Sequence, residues 1–309
     1  METVLCNYCS SSSSDLLYRI PDFYLDKKDI FYSLVKCRNC GLIFQNPRPT
    51  QKEIGEAYPN TYEAFYLDQD RTWLETKVFQ YGLEKRCKTI TSIKRNRGRL
   101  LDIGCSTGLF LNAMQFNHGW ESFGVEVSEY PASIAREKYH LNIFQGSLEQ
   151  TSYPPSFFDA VTLWDVLEHL PDPSSTLQEV KRIIKPDGVL VIRVPNYDSW
   201  DAKIFGSVWA GLDVPRHFYV FSQKNLLKLL EKNGFTAPKL SCKIGSFSMF
   251  VISLRFWMNK KSINSSRQRT ITGLINQPIT QIIFTPFFLI SRLFLRGPVL
   301  TSTAFPRTQ

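Results

Sequence analysis

Several residue types are scarce in this sequence, and each scarcity closes off a class of protein. Seven cysteines among 309 residues are too few for a disulfide-built scaffold. Beyond Glu231 there is no Asp or Glu, while eleven basic residues run from Lys232 to Arg307. The net charge of +9 therefore sits in the last quarter of the chain. The first 231 residues carry 26 basic and 28 acidic side chains, a balance of −2. A nucleic-acid groove needs basic residues over the body, so this distribution disfavours nucleic acid and suits a tail that touches anionic lipid. No charged segment leads into an apolar stretch and a small-residue cleavage site, so a cytoplasmic location is expected, peripheral on the inner face of the membrane if the tail docks there. A membrane span needs ~20 predominantly apolar residues. The best stretch, 279–295, is shorter and is interrupted by Gln281, Pro286 and Arg292. No internal repeat is visible. The apolar share, 43%, excludes global disorder and collagen-like classes.

The cysteines that are present fall into a pattern. Cys6-x-x-Cys9 and Cys37-x-x-Cys40 supply four thiolates, the tetrahedral set that a structural zinc ion prefers. Gly41 suits the tight turn that wraps a metal, and the 27-residue spacer costs little once the metal closes it. Redox dithiols are the other reading, but no thioredoxin-like βαβ unit surrounds the pairs. Cys87, Cys105 and Cys242 read as ordinary small apolar residues. Residues 1–50 thus form a zinc-ribbon module. Residues 51–98 form a helical connector or cap, with a helix over 71–94 that places Trp73, Leu74, Val78, Tyr81 and Ile90 on one face.

From residue 99 short apolar runs alternate with helical patterns. Strands are expected at 99–103, 122–127, 142–145, 158–164 and 189–194, and helices at 108–117, 129–139, 172–185 and 222–232. This alternation predicts an α/β domain over 99–258, with a mainly parallel sheet wound on both faces. Residues 259–309 read as a basic, apolar tail that lies on a membrane or packs on the protein.

Three features close successive strands, where ligands bind in open α/β sheets. Asp102-Ile103-Gly104 opens a turn that continues through Ser106 to Gly108, with bare backbone for a ligand. Glu126, 24 residues after Asp102, is placed to accept the hydroxyls of a ribose. Ser147 and Leu148 follow the third strand, where an adenine would lie. The dinucleotide fingerprint requires glycine at 104, 106 and 109, but the chain has Gly104, Ser106 and Leu109. The stretch instead resembles the class I S-adenosylmethionine-dependent methyltransferases, and the likeness extends through FDAVTLWDVLEHLPDP and EVKRIIKPDGVLVIRVPN. The resemblance implies a Rossmann-like methyltransferase fold with a doubly wound, seven-stranded sheet and S-adenosylmethionine as cofactor. It places the methionine end at Asp102, Gly104 and Gly108, the ribose at Glu126 and the adenine at Ser147 and Leu148, and Ser106 in the same turn is a further cofactor-binding candidate. Ser147 stands where that family commonly has an aspartate. With CRNCGLIFQNPRP and LDVPRHFYVFSQKNLLKLLEKNGF, the chain resembles a group of bacterial methyltransferases that carry an N-terminal zinc ribbon and sit with sugar- and surface-polysaccharide-modifying enzymes.

Methyl transfer from a sulfonium is an in-line displacement that gains most from positioning, and a hydroxyl acceptor also needs a base. Asp165 and His169 leave the fourth strand together, and His169 offers an imidazole suited to proton transfer near neutrality. His217 lies in a segment that carries Trp200, Trp209 and Tyr219, whose faces suit sugar rings or quinones. Asp165 reads as an orienting group, and His169 and His217 as substrate or base residues. The expected activity is methyl transfer to a small-molecule or lipid-linked glycan precursor of the cell surface. The alternatives are a quinone-like lipid, an RNA, or a cofactor-binding scaffold without catalysis.

Overall fold

The computed structural model describes residues 1–58, 73–242, 247–275 and 277–307. Strands β1 (Ser14–Asp22), β2 (Lys27–Cys37) and β3 (Ile43–Gln45) form an antiparallel meander. A short helix, α1 (Gln51–Ile54), starts at Thr50, whose hydroxyl and the Glu53 carboxylate cap one another's backbone. Helix α2 (Trp73–Thr91) leads into the large sheet. There β4 (Arg99–Ile103), α3 (Leu109–His118), β5 (Glu121–Glu126), α4 (Glu129–Tyr139), β6 (Asn142–Gln145), β7 (Phe158–Trp164), α5 (Pro173–Ile183) and β8 (Ile184–Pro195) alternate along the chain. After them come α6 (Trp200–Phe205), β9 (Tyr219–Val220), α7 (Gln223–Lys232), β10 (Phe235–Ser241), three helices α8 (Phe247–Lys260), α9 (Ser265–Ile275) and α10 (Pro278–Leu293), and β11 (Val299–Pro306).

The large sheet has seven strands in the order β10-β11-β8-β7-β4-β5-β6. Strands β4 to β8 are mutually parallel, and β11 runs antiparallel to both of its neighbours. The mainly parallel, doubly wound sheet expected from the sequence is the one that forms. Its central strands are buried on both faces, which is why Val189–Ile192 reads as an unbroken apolar run. Helix α5 begins where Asp172 accepts the N–H groups of Ser174 and Ser175, with Pro173 in the first turn.

Two expectations change. Residues 299–306, read as tail, are a strand within the sheet; their hydroxyl-rich VLTSTA pattern concealed a buried segment whose backbone pairs on both sides. The tail is instead the helical insertion α8–α10 between the two antiparallel strands. On α2, Val78 and Tyr81 are 60% and 63% exposed, and the packed stripe is Leu83, Cys87 and Ile90. The helix reaches the sheet through its C-terminal half. Residues 71–72 of the expected helix lie outside the described residues.

The N-terminal module is welded to the rest. Strand β9 pairs with β3, Ile43 opposite Val220 and Phe44 opposite Tyr219, so the small sheet contains chain from both regions. Cys6, Cys37 and Phe44 bury into the same core as Leu101, Ile103 and Leu163.

Candidate active site

From β4 the chain steps outward to β5 and β6, then returns to β7 on the other side. The crevice at such a reversal opens at the C-terminal ends of β4 and β7. Asp102 is buried there and accepts a hydrogen bond from the Thr162 hydroxyl at 2.6 Å. Burial pushes its carboxyl up to about 7, against the pull of the Thr162 hydroxyl and of Arg86. Gly104 turns the chain at φ +67°, and its N–H donates to Val125 O at 2.7 Å. A Cβ there would stand 2.5 Å from Val166 Cγ2, so only glycine serves. Ser106 and Gly108 are also left-handed, at φ +49° and +78°. Glu126 ends β5 with one carboxylate oxygen accepting the Ser106 N–H and the other the Ser128 N–H, both at 2.9 Å. Burial raises its carboxyl, and those two N–H groups oppose the rise. Each oxygen retains a further lone pair for a ligand hydroxyl. Asp102, Gly104, Ser106, Gly108 and Glu126 therefore form one continuous turn system.

Ser147 and Leu148 lie close by, after β6, whose Gln145 pairs with Glu126. The Leu148 side chain joins the core, and the Ser147 N–H donates to the Gln150 side chain at 2.8 Å. Arg193 and Tyr58, described below, escaped the sequence reading, and so did a residue of α2. Arg86 of α2 lies over the Trp164 ring at 5.4 Å, and it influences Asp102 and Asp165 electrostatically. Burial and Arg193 together lower it to about 10. The signal was available: residues 83, 86, 87 and 90 share one helical stripe, and an arginine within an apolar stripe marks a buried partner.

At the end of β7, Asp165 is held at φ +59° by a two-point ion pair with Arg193 of β8, Nε to Oδ1 at 2.8 Å and Nη2 to Oδ2. Burial alone would raise its carboxyl, but Arg193 holds it below the ordinary value. His169 and His217, 48 residues apart, come together with ring centroids 4.6 Å apart. Nδ1 of His169 lies 3.0 Å from Arg216 O and 2.9 Å from the Tyr58 hydroxyl. Burial, with His217 adding to it, brings the His169 imidazole down to about 3, and burial lowers His217 too. Enclosure thus holds both rings in the neutral form. Glu168 lies beside them, pushed well above the ordinary carboxylate range by burial and by Asp165.

Arg216 meets this group through its backbone carbonyl, and its side chain is committed elsewhere. It is fully buried and bonds Asp22 of β1, Asp213 and the carbonyl of Ala57. The aromatic surface expected from Trp200, Trp209 and Tyr219 also fails to form. Trp209 and Tyr219 are 1% and 3% exposed, and Trp200 packs on Phe287 with ring centroids 5.3 Å apart. Large rings so close to an apolar core are recruited to fill it.

The four N-terminal cysteines converge. Cys6 and Cys40 sulfurs are 3.4 Å apart, Cys9 and Cys37 sulfurs 3.5 Å, and all four lie within 4.8 Å of one another as free thiols. The two turns match: the Ser10 N–H donates to Cys6 O and the Gly41 N–H to Cys37 O, with Ser10 and Gly41 both left-handed. Although burial opposes it, backbone N–H groups from Cys40 and Asn39 and the neighbouring thiols lower Cys37 to about 7. This donor set fits a zinc site.

A family model described as a methyltransferase domain matches residues 77–239, more than half of the chain. The chain belongs to this methyltransferase family. The methyltransferase is 32% identical over 175 residues to the ubiquinone biosynthesis O-methyltransferase of Haemophilus ducreyi, covering 52% of this chain and 73% of that protein. The counterpart from Histophilus somni is 25% identical over 176 residues, with the same shares covered. Among solved structures, a Thermotoga maritima protein described as an S-adenosylmethionine-dependent methyltransferase and possible histamine N-methyltransferase superposes with TM-score 0.51 at 19% identity, covering 82% of this chain and 97% of that one. The [4+2]-cyclase SpnF superposes with TM-score 0.54 at 16% identity, covering 85% and 99%. A fold shared with a cyclase does not by itself name a reaction. Family membership does: the protein is an S-adenosylmethionine-dependent methyltransferase, and the buried Asp102 carboxylate and the Glu126 lone pairs fit the cationic and ribose ends of that donor.

Proposed function

We propose that this methyltransferase transfers a methyl group to a hydroxyl oxygen of a quinone-like lipid at an anionic membrane surface. The observation that carries the reading is the outer face of the α8–α10 insertion. Leu274, Ile282, Ile283, Leu289, Ile290 and Leu293 are exposed there, among arginines and lysines and with no acidic residue after Glu231. The residues of α10 follow one helical face, while Phe284 and Phe288 turn inward onto Phe250. Such a face suits the headgroup boundary of an anionic bilayer. No described helix is long and apolar enough to cross a membrane. The relatives named above for ubiquinone biosynthesis support the same acceptor class. A sugar or lipid-linked glycan acceptor loses support because its stacking rings, Trp209 and Tyr219, are packed inside.

When bound, S-adenosylmethionine supplies an electrophilic methyl group. Asp102 would face the cationic end, Gly104, Ser106 and Gly108 would lie along the methionine, Glu126 would receive the ribose hydroxyls, and Ser147 and Leu148 would border the adenine. The neutral rings of His169 and His217 offer lone pairs for the acceptor's proton, and Asp165, fixed by Arg193, orients the turn that carries His169.

The test presents two acceptors to the purified protein and donor: a phenolic polyprenyl lipid in phosphatidylglycerol vesicles and a panel of sugar nucleotides. Mass spectrometry should find a methyl group added to the lipid. Ile283→Asp with Leu293→Asp should lower vesicle partition and lipid methylation while sparing donor affinity. Methylated sugar nucleotide with unmodified lipid would overturn the reading.

We also infer that Cys6, Cys9, Cys37 and Cys40 hold a structural zinc ion. Cys37→Ser should release the metal and lower the melting temperature of the whole chain, because Cys6 and Cys37 belong to the main core. Elemental analysis and calorimetry check this, and native protein without zinc would refute it.

A further inference from the structure

The Glu168–His169–His217 group has a property that proton transfer does not explain. Glu168 is 1% exposed, and among the described residues neither of its carboxylate oxygens has a hydrogen-bond partner. A carboxylate so enclosed requires a proton or a cation. Its acidic neighbours are already matched, Asp165 by Arg193 and Asp213 by Arg216. Among the described residues Glu168 has no such ion pair.

The two imidazoles are prepared in a complementary way. A carbonyl oxygen can only accept, so the Nδ1 atoms that face one carry the ring proton. Nδ1 of His217 lies 3.0 Å from Gly211 O, and Nδ1 of His169 lies 3.0 Å from Arg216 O. His217 therefore presents an Nε2 lone pair; at His169, whose Nδ1 also has the Tyr58 hydroxyl 2.9 Å away, the Arg216 carbonyl favours the same tautomer. Histidines that bind metals are held in this manner. The nearest acid to His217 Nε2, Asp213, is 3.9 Å away and belongs to Arg216. One ligand atom from each of Glu168, His169 and His217 lies within 4.8 Å of the other two. Bonds of about 2.1 Å bring ligand atoms within roughly 4.2 Å of one another, so a small side-chain adjustment closes the set.

We infer that Glu168, His169 and His217 bind one divalent first-row transition-metal ion, through a carboxylate oxygen and the two Nε2 atoms. Two imidazoles with one carboxylate select zinc, iron or manganese over magnesium or calcium, which favour oxygen ligands. Three protein ligands leave coordination positions open. An acceptor hydroxyl bound there would lose its proton to solvent water more readily, and in the metal-loaded protein this replaces the proton transfer to the imidazoles described above, which then serve as ligands. That consequence rests on the acceptor proposed above, whereas the metal site itself does not.

The experiment separates the two. Full-length protein with its cysteine site zinc-loaded is titrated with Mn²⁺, and free Mn²⁺ is followed by electron paramagnetic resonance. Four thiolates are a poor match for Mn²⁺, so the titration reports nitrogen and oxygen ligands. One Mn²⁺ per chain is expected. Glu168→Gln and His217→Ala should each weaken binding by about 100-fold or more, since even outer-shell partners of a metal are worth 10–100-fold. Near-ultraviolet circular dichroism and donor affinity in the same variants report folding. Wild-type protein that takes up no Mn²⁺ or Co²⁺ beyond the cysteine site overturns the inference without any variant. Binding unchanged in both folded variants overturns it as well, and leaves Glu168 as a protonated acid beside two neutral bases. A bound metal with no methylation of the phenolic lipid would sink the acceptor assignment and leave the site standing.

Discussion

Asp102→Asn should weaken S-adenosylmethionine binding by about 100-fold while leaving the chain folded. A buried charge facing a cation is worth ~2–5 kcal/mol, and two factors of ten correspond to ~2.7 kcal/mol. Asparagine keeps the side-chain oxygen that accepts the Thr162 hydroxyl and removes only the charge. The pH dependence gives a second readout. Asp102 ionises at about 7 in the folded chain against an ordinary value of 3.8, because burial disfavours its charged form. Its contribution to stability is therefore complete below about 4 and is lost as pH rises to about 7. The cationic donor prefers the ionised carboxylate, so wild-type affinity should rise between pH 6 and pH 8. The asparagine variant should lose this component of the slope. Calorimetry that finds equal affinities for wild type and variant would remove Asp102 from the donor site.

Arg216→Met should cost about 3–5 kcal/mol, the usual penalty for removing one partner of a buried ion pair. The loss strands two carboxylates, Asp22 on the small sheet and Asp213 on the segment that leads to His217. Lysine should not rescue the variant, because the guanidinium reaches Asp22, Asp213 and the Ala57 carbonyl at once. Adding Asp22→Asn to Arg216→Met should recover part of the loss by removing a stranded charge. Denaturant unfolding measures all three. A penalty below ~1 kcal/mol would show that β9 and β3 hold the two regions together without Arg216.

The large sheet was legible because parallel strands leave a plain record: apolar runs such as FDAVTLW, separated by helices with Asp-Pro and Ser caps. The donor turn was legible for a related reason, since Gly104 and Gly108 mark positions where a Cβ has no room. What escaped notice depends on distant chain. Residues 299–306 become a strand only because β8 and β10 flank them, and no local pattern records those neighbours. Trp209 and Tyr219 read as a binding surface, yet whether an aromatic ring lines a cleft or fills a core is decided by what packs over it. Arg86 was overlooked between Lys85 and Lys88, although its place on the stripe of Leu83, Cys87 and Ile90 sets it apart from them. The pairing of His169 with His217 was suggested by their chemistry, but their contact across 48 residues needed the fold.

Strands β10 and β11 lie side by side, with Ser241 opposite Thr301. The 59 residues between them leave and re-enter the sheet at nearly one point. Such a segment behaves as a cassette: its entropic cost grows slowly with length, and replacing it need not disturb the register of the strands that carry it. The insertion and the donor crevice thus lie on opposite sides of β8, so the surface that meets the surroundings and the turn that meets the donor are carried by separate parts of one sheet.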